Sequence, residues 1–212
     1  MKPVAVIYRL GRKPNPWAAP DWAQAGPDGT FGNRFDDPGA TYRVVYASSQ
    51  RLGCFLETLA RFRIDLKLAA ELAEIQGDAD HLPQGEVPVE WLANRIMGVA
   101  TASGEYADVG SSAWISRLRI ALMRHLQELG IDSFDASILQ KTAPRSLTQR
   151  VSRIAFGDDL AGIRYLSKHG HDIENWALFE PFQILPLESQ PILRDDPDLE
   201  RALQLYSLKF RV

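Results

Sequence analysis

The sequence predicts an α+β fold, and three observations carry that prediction. Short runs rich in β-branched and aromatic residues open the chain at 3–10 and 41–47. Helical periodicity with capping residues follows at about 49–63, 113–129 and 146–156. Two later β-type runs, 162–166 and 176–182, lie close enough to pair as neighbouring strands.

In strand geometry, Ala5, Ile7 and Arg9 of the first run (PVAVIYRL) share one face, and Val4, Val6 and Tyr8 the other. Arg9 then projects beside apolar neighbours, where a guanidinium needs a partner anion unless it turns out into water at the strand end. Residues 11–41 show neither period and are punctuated by prolines and glycines. A loop of that length in a compact domain is usually functional or disordered. Trp17, Trp22, Phe31 and Phe35 argue against disorder. Within the loop, Gly32-Asn33-Arg34-Phe35-Asp36 sets an arginine near a glycine. Backbone can approach a ligand closely there, and the guanidinium can meet a phosphate or carboxylate with two donors.

The second strand (TYRVVYA) places Tyr42, Val44 and Tyr46 on one face. Ser48 or Ser49 caps the helix that runs to about 63, whose buried stripe is Leu52, Phe55, Leu56, Leu59 and Phe62. Glu57 falls at the edge of the stripe, a position that suits a rim residue reaching water as well as a catalytic carboxylate. Beyond it come a helix at 66–76, an exposed loop at 77–88, and a short apolar element at 88–99 anchored by Trp91. Ser111 or Ser112 caps the helix at 113–129, and Gly130 ends it. The span 131–139 fits no one element. A helix at 146–156 ends at Gly157, and the paired strands then flank a loop at 167–175. The tail, 195–212, reads as a short helix and a closing strand. The chain reads as one domain, 1–212, with a longer helical middle segment at about 64–143.

Composition narrows the function. Of 212 residues, 45% are hydrophobic and 24% charged, as in ordinary globular proteins. The net charge is −3 and no Lys/Arg run stands out, so neither nucleic acid nor a membrane surface is an expected direct partner. A bound polyanion would have to rely on one or two placed arginines. The one cysteine, Cys54, excludes an internal disulfide and Cys-rich zinc motifs, and reads as a small core residue rather than a nucleophile. His169-x-His171 has no carboxylate cluster to complete a metal site. No signal-peptide pattern and no membrane-spanning run occurs, which makes a cytoplasmic protein the expectation. P-loop, G-x-G-x-x-G and G-x-S-x-G motifs are all missing.

What remains is an ordered set of blocks. YRL (8–10), GNRFD (32–36), VVYAS (44–48) followed by FLETL (55–59), and LTQRVSRIAFGDDLAGIRYLSKHG (147–170) closing on NWALFEP (175–181) resemble the RES family, named for its characteristic Arg, Glu and Ser. The resemblance implies an ADP-ribosyltransferase-like fold, a mixed split sheet with surrounding helices. It implies an enzyme that consumes NAD⁺ by cleaving the nicotinamide–ribose bond, as a glycohydrolase or phosphorylase. It also implies the toxin of a toxin–antitoxin pair, with an Xre-type helix-turn-helix protein as antitoxin. Glu57, Arg34 and Ser167 become the catalytic residues, and Arg9, Arg34, Tyr46, Glu57 and Ser167 the NAD⁺-binding residues. In this reading the arginines clamp the diphosphate, and Tyr46 stacks on nicotinamide or fixes its orientation. Glu57 accepts from a ribose hydroxyl beside the carbon that turns cationic. Ser146 and Thr148 precede the same strand as Ser167 and are alternative sources of the hydroxyl. No metal is required. Two other functions suit the same residues: a protein ADP-ribosyltransferase using this pocket, and a non-catalytic interaction module. The chain departs from the commoner family pattern at Phe35, where Trp is frequent, at Asp36-Asp37-Pro38, in place of an Asn-Pro-Pro turn, and at Lys168, where Arg is common.

Overall fold

The β-branched runs of this chain come together in a sheet, which a computed structural model describes over residues 5–76, 84–141 and 143–211. In chain order the elements are β1 (Ala5–Arg12), β2 (Val44–Ser48), α1 (Arg51–Leu59), α2 (Leu66–Gln76), β3 (Gly85–Pro88), α3 (Glu90–Ala93), β4 (Arg95–Ala102), β5 (Tyr106–Asp108), α4 (Ser112–Ala121), α5 (Met123–Glu128), α6 (Ala136–Gln140), α7 (Arg145–Gly157), β6 (Gly162–Ser167), β7 (Gly170–Phe179), β8 (Ile184–Pro191), α8 (Pro197–Leu205) and β9 (Leu208–Arg211). Among the described residues, seven strands pair in the order β5-β6-β7-β2-β1-β4-β8, and β3 pairs with β9 separately. Within the large sheet, only β5–β6 is a parallel pair among the described residues. The class is α+β.

The large sheet is divided at its centre. β1 matches β4 along its whole length, and β2 matches β7 along its whole length. Between β1 and β2 the described residues share one register pair, Tyr8 with Ser48. Two half-sheets, β5-β6-β7-β2 and β1-β4-β8, therefore fork apart from that point.

Side-chain alternation decides what covers each face. Val44, Ile163 and Phe179 pack under α4–α7 through Leu118, Leu147 and Val151. On the same side of the other half-sheet, Phe55 and Leu59 of α1 meet Met97 and Leu199. Phe55 and Leu59 are fully buried, and each such side chain contributes roughly 1.5–3 kcal/mol. The opposite face buries Ile7, Val45, Ala47, Ala100 and Leu178 beneath Trp17 of the long loop.

Several local expectations are corrected. The helix expected at 113–129 is interrupted at Leu122 (φ −104°, ψ 3°), giving α4 and α5. Residues 85–88 are a strand rather than exposed loop, because β9 arrives from the far end of the chain to pair with them. The expected loop at 167–175 is a tight turn at Lys168 and His169, and β7 already begins at Gly170. Exposed His171 and Asp172 had hidden that strand's alternation. β8 was not anticipated: it carries Pro186 and Pro191 and lies at the sheet edge, where prolines are tolerated. α1 starts after Gln50 without a side-chain cap, and the hydroxyls of Ser48 and Ser49 instead donate to the carbonyl and carboxylate of Glu174. Strands β3, β4 and β5 also lie within 64–143. Residues 3 and 4 of the expected first strand, 77–83 of the expected loop, and Val212 lie outside the described residues. Among the described residues no helix is long and apolar enough to cross a membrane.

Candidate active site

The fork between the half-sheets is where the chain's unusual polar residues gather. Past the Tyr8–Ser48 pair, the Tyr46 carbonyl loses its ladder partner on β1. Arg9 replaces that partner: its Nη1 donates to Tyr46 O at 2.8 Å and its Nε to Pro16 O at 2.6 Å. Arg9 thus points neither into water nor at a carboxylate. Burial pushes its pKa down to about 10, and it stays charged at neutral pH.

Register lines up the floor of the site. Tyr8 pairs with Ser48, Ser48 with Asn175, and Asn175 with Tyr165, so four adjacent strands present one row of side chains on one face. α1 lies over that row. Gly53 permits the approach, since a Cβ there would sit 2.3 Å from Ser48 Oγ and 2.8 Å from Ile173 Cγ2. Cys54, one residue on, donates from Sγ to Tyr8 O at 3.1 Å, and burial raises its pKa to about 12. It is a packing residue, as its sequence context suggested.

One turn later, α1 aims Glu57 back across the row. Its Oε1 accepts from Ser167 Oγ at 2.6 Å and from Asn175 Nδ2 at 2.7 Å. Oε2 accepts no hydrogen bond among the described residues, and Glu57 lines a cavity of about 530 Å³ together with Arg9, Arg34, Tyr46, Tyr165 and Asn175. The Glu57 side chain keeps 37% of its surface exposed, so it is reachable by a ligand. Ser167 is buried and its Oγ also accepts from His169 N at 3.0 Å, so it holds Glu57 from behind rather than facing the cavity. The alternatives for that hydroxyl fall elsewhere: Thr148 Oγ1 donates to Arg145 O, and Ser146 Oγ lies 3.3 Å from His125 Nε2.

Arg34 enters from the long loop. Gly32 adopts φ +67°, a backbone state that glycine reaches at no steric cost, and this turns the following residues inward. Two buried aspartates then fix the loop. Asp36 accepts from Asn33 N (2.8 Å) and from the Tyr46 hydroxyl (2.8 Å), which itself accepts from Phe35 N (2.9 Å). Asp37 accepts from Thr41 N, Gly39 N and Arg153 Nη1. The Arg34 guanidinium ends 4.8 Å from the centre of the Tyr165 ring and 5.2 Å from that of Phe35. Its Nε and Nη2 are buried with no hydrogen-bond partner among the described residues. Burial lowers its pKa, and Tyr165, Glu57 and Tyr46 offset part of that shift. A buried fork of donors without an acceptor is incomplete until an anion arrives.

Tyr46 has its hydroxyl committed to Asp36 and Phe35, and burial raises its pKa well above the ordinary 10. It offers the cavity a ring, not a titrating phenol. The expected residues Arg9, Arg34, Tyr46 and Glu57 therefore share one cavity, with Ser167 just behind. Asn175, Tyr165 and the loop aspartates stand in the segments quoted from the sequence but carried no site role there. The lining also carries Arg61, Arg145 and Lys168, which makes five cations against one carboxylate among the described residues. That corrects the expectation of one or two anchoring arginines: scattered cations are collected by the fold without any basic run. Among the described residues, no three His, Cys, Asp or Glu gather as a group that could hold a metal ion.

Comparison with known proteins bears on family and fold. The sequence pattern of the RES domain family matches residues 6–198. The chain belongs to the RES domain family. No curated protein matches the sequence significantly. In fold, this RES domain is similar to a chain of the crystal structure of the M. tuberculosis MbcT–MbcA toxin–antitoxin complex. The TM-score is 0.54 at 12% identity, covering 96% of this chain and 89% of that one.

Proposed function

We propose that this RES domain is an enzyme that binds NAD⁺ and breaks its nicotinamide–ribose bond, and that it is the toxin of a toxin–antitoxin pair. The observation that carries the reading is a pair of groups lining one cavity. Arg34 presents buried donors with no anion, and Glu57 presents a carboxylate fixed by Ser167 and Asn175. NAD⁺ supplies what each lacks: a diphosphate for the guanidinium and a ribose for the carboxylate.

The bond between ribose C1′ and the nicotinamide nitrogen breaks with its electron pair going to the nitrogen, and positive charge develops on the sugar as in glycoside hydrolysis. Glu57 Oε2, with no donor at hydrogen-bonding distance among the described residues, accepts from a ribose hydroxyl and faces that charge. Arg34 meets phosphate oxygens with a planar fork, backed by the Tyr165 ring. Arg9 holds the fork of the sheet open and adds positive charge to the cavity wall. The Tyr46 ring stacks on nicotinamide. Water then adds to C1′ and releases a proton, leaving ADP-ribose, or inorganic phosphate adds and leaves its 1″-phosphate ester. Similarity to a chain from a toxin–antitoxin complex supports an antitoxin partner, for which an Xre-type helix-turn-helix protein is our proposal.

The test is chromatography of NAD⁺ incubated with the purified chain, with and without phosphate, and with candidate acceptor proteins. Free nicotinamide is expected, and Glu57→Gln should cut its release by about 10²–10³ without changing the melting temperature. Intact NAD⁺ under every condition would overturn the reading, and label retained on protein would favour ADP-ribosyl transfer.

A further inference from the structure

His169 has no role in the chemistry above, yet it stands beside the carboxylate that does. The turn after β6 places its backbone N on Ser167 Oγ at 3.0 Å and its imidazole behind Glu57. The side chain is 4% exposed, and Nε2 lies 3.7 Å from Glu57 Oε2. That nitrogen is buried with no hydrogen-bond partner among the described residues. The separation is too long for a hydrogen bond, but short enough that each group feels the other's charge fully.

Oε1 is pinned by Ser167 and Asn175, so Oε2 is the oxygen free to swing. We propose that His169 is a positioning residue for Glu57, leaving Oε2 to the cavity when neutral and drawing it into an ion pair when protonated. Charge-assisted N–H···O contacts settle near ~2.8 Å, so the carboxylate need move by less than ~1 Å to form one. Once formed, the contact takes the acceptor away from the ribose side. The proposal rests on the NAD⁺-cleaving reading for its catalytic consequence, but not for the coupling itself.

The groups facing the imidazole favour the neutral form near neutrality. Burial lowers its pKa below the ordinary 6.5, Glu57 from α1 raises it, and Lys168 in the same turn and Arg63 after α1 lower it further. From the end of α8, the Tyr206 ring meets it edge-on at 5.7 Å, with the Arg63 guanidinium 4.9 Å from the centre of that ring. Protonation therefore occurs on the acid side, and the site turns off as pH falls through the His169 pKa.

Two measurements on the full chain test this. The first follows the His169 ring proton by NMR titration in wild type and Glu57→Gln, with the signal assigned by its loss in His169→Gln. We expect titration below pH 6.5, moving at least ~0.5 unit lower in Glu57→Gln once the attracting charge is gone. The second is the pH profile of NAD⁺ turnover in wild type, His169→Gln and His169→Phe, the last preserving a ring against Tyr206. Both variants should lose the imidazole limb, so their acid fall should lie ~1 unit or more below that of wild type. A His169 titration unmoved by Glu57→Gln overturns the proposal. Acid limbs that coincide in wild type and both variants overturn it equally. A coupled titration in a chain that leaves NAD⁺ intact supports the pair and overturns the NAD⁺ reading instead.

Discussion

A guanidinium buried over an aromatic ring with two donors lacking any acceptor destabilises the empty protein, and among the described residues this sets Arg34 apart from the exposed arginines. Arg34→Met removes the unpaired charge and keeps much of the side-chain volume. The empty variant should be more stable by about 1–3 kcal/mol, read as a higher melting temperature, while NAD⁺ affinity collapses. Arg34→Lys keeps the charge but not the planar fork, so it should raise the apparent KM for NAD⁺. Stability and function moving in opposite directions at one residue is the expected result. A variant that loses both would mark Arg34 as structural. Arg9 differs in kind, because two backbone carbonyls already occupy its Nε and Nη1.

At the scale of elements, the site depends on how closely α1 lies on β2 and β7, and Gly53 sets that distance. A methyl group there meets Ser48 Oγ and Ile173 Cγ2 well inside normal contact, so Gly53→Ala should cost about 1–3 kcal/mol in chemical denaturation. It should also raise KM by tilting Glu57. The loop that carries Arg34 has its own anchor in Asp37. Burial opposes ionisation of that carboxyl, but Thr41, Gly39 and Arg153 outweigh it, so its pKa lies below the ordinary 3.8. The stabilisation is therefore complete above pH 3.8 and is lost as pH falls through the folded value. Melting curves in acid should show a steep loss for wild type that Asp37→Asn shares less, from a lower starting stability. Much of this layout was legible in the sequence. Alternation of Tyr42, Val44 and Tyr46 against Arg43 and Val45 located β2, and the stripe from Leu52 to Phe62 located α1. β8 was hidden because an edge strand with exposed Leu185 and Leu187 has no buried face to pattern. Asn175 was hidden because a polar residue within a strand carries no local mark of a partner 118 residues away. His169 was noticed only as half of a histidine pair, whereas its neighbour is a carboxylate on α1.

For the whole molecule, the cavity lies where the two half-sheets part, and a ligand there touches both. β1 contributes Arg9, β2 contributes Tyr46, α1 contributes Glu57, and β6 and β7 contribute Tyr165 and Asn175. Binding should therefore stabilise the fold as a unit. ADP-ribose at 100 times its Kd should add about 2.7 kcal/mol, seen as a melting shift in wild type and absent in Arg34→Met. No shift in wild type would mean that this product does not bind the fork. The strand order has a further consequence, in time rather than space. β2 finds its full-length partner only in β7, and Glu57 finds Ser167 and Asn175 at 110 and 118 residues downstream. Contacts this distant in sequence form late. On the function proposed above, a ribosome that has made the first two strands and the glutamate-bearing helix would hold a fragment without a finished site. The two donors that aim the carboxylate, Ser167 and Asn175, arrive only with the hairpin of β6 and β7, so on that proposal the nascent chain would stay inert until the hairpin is complete.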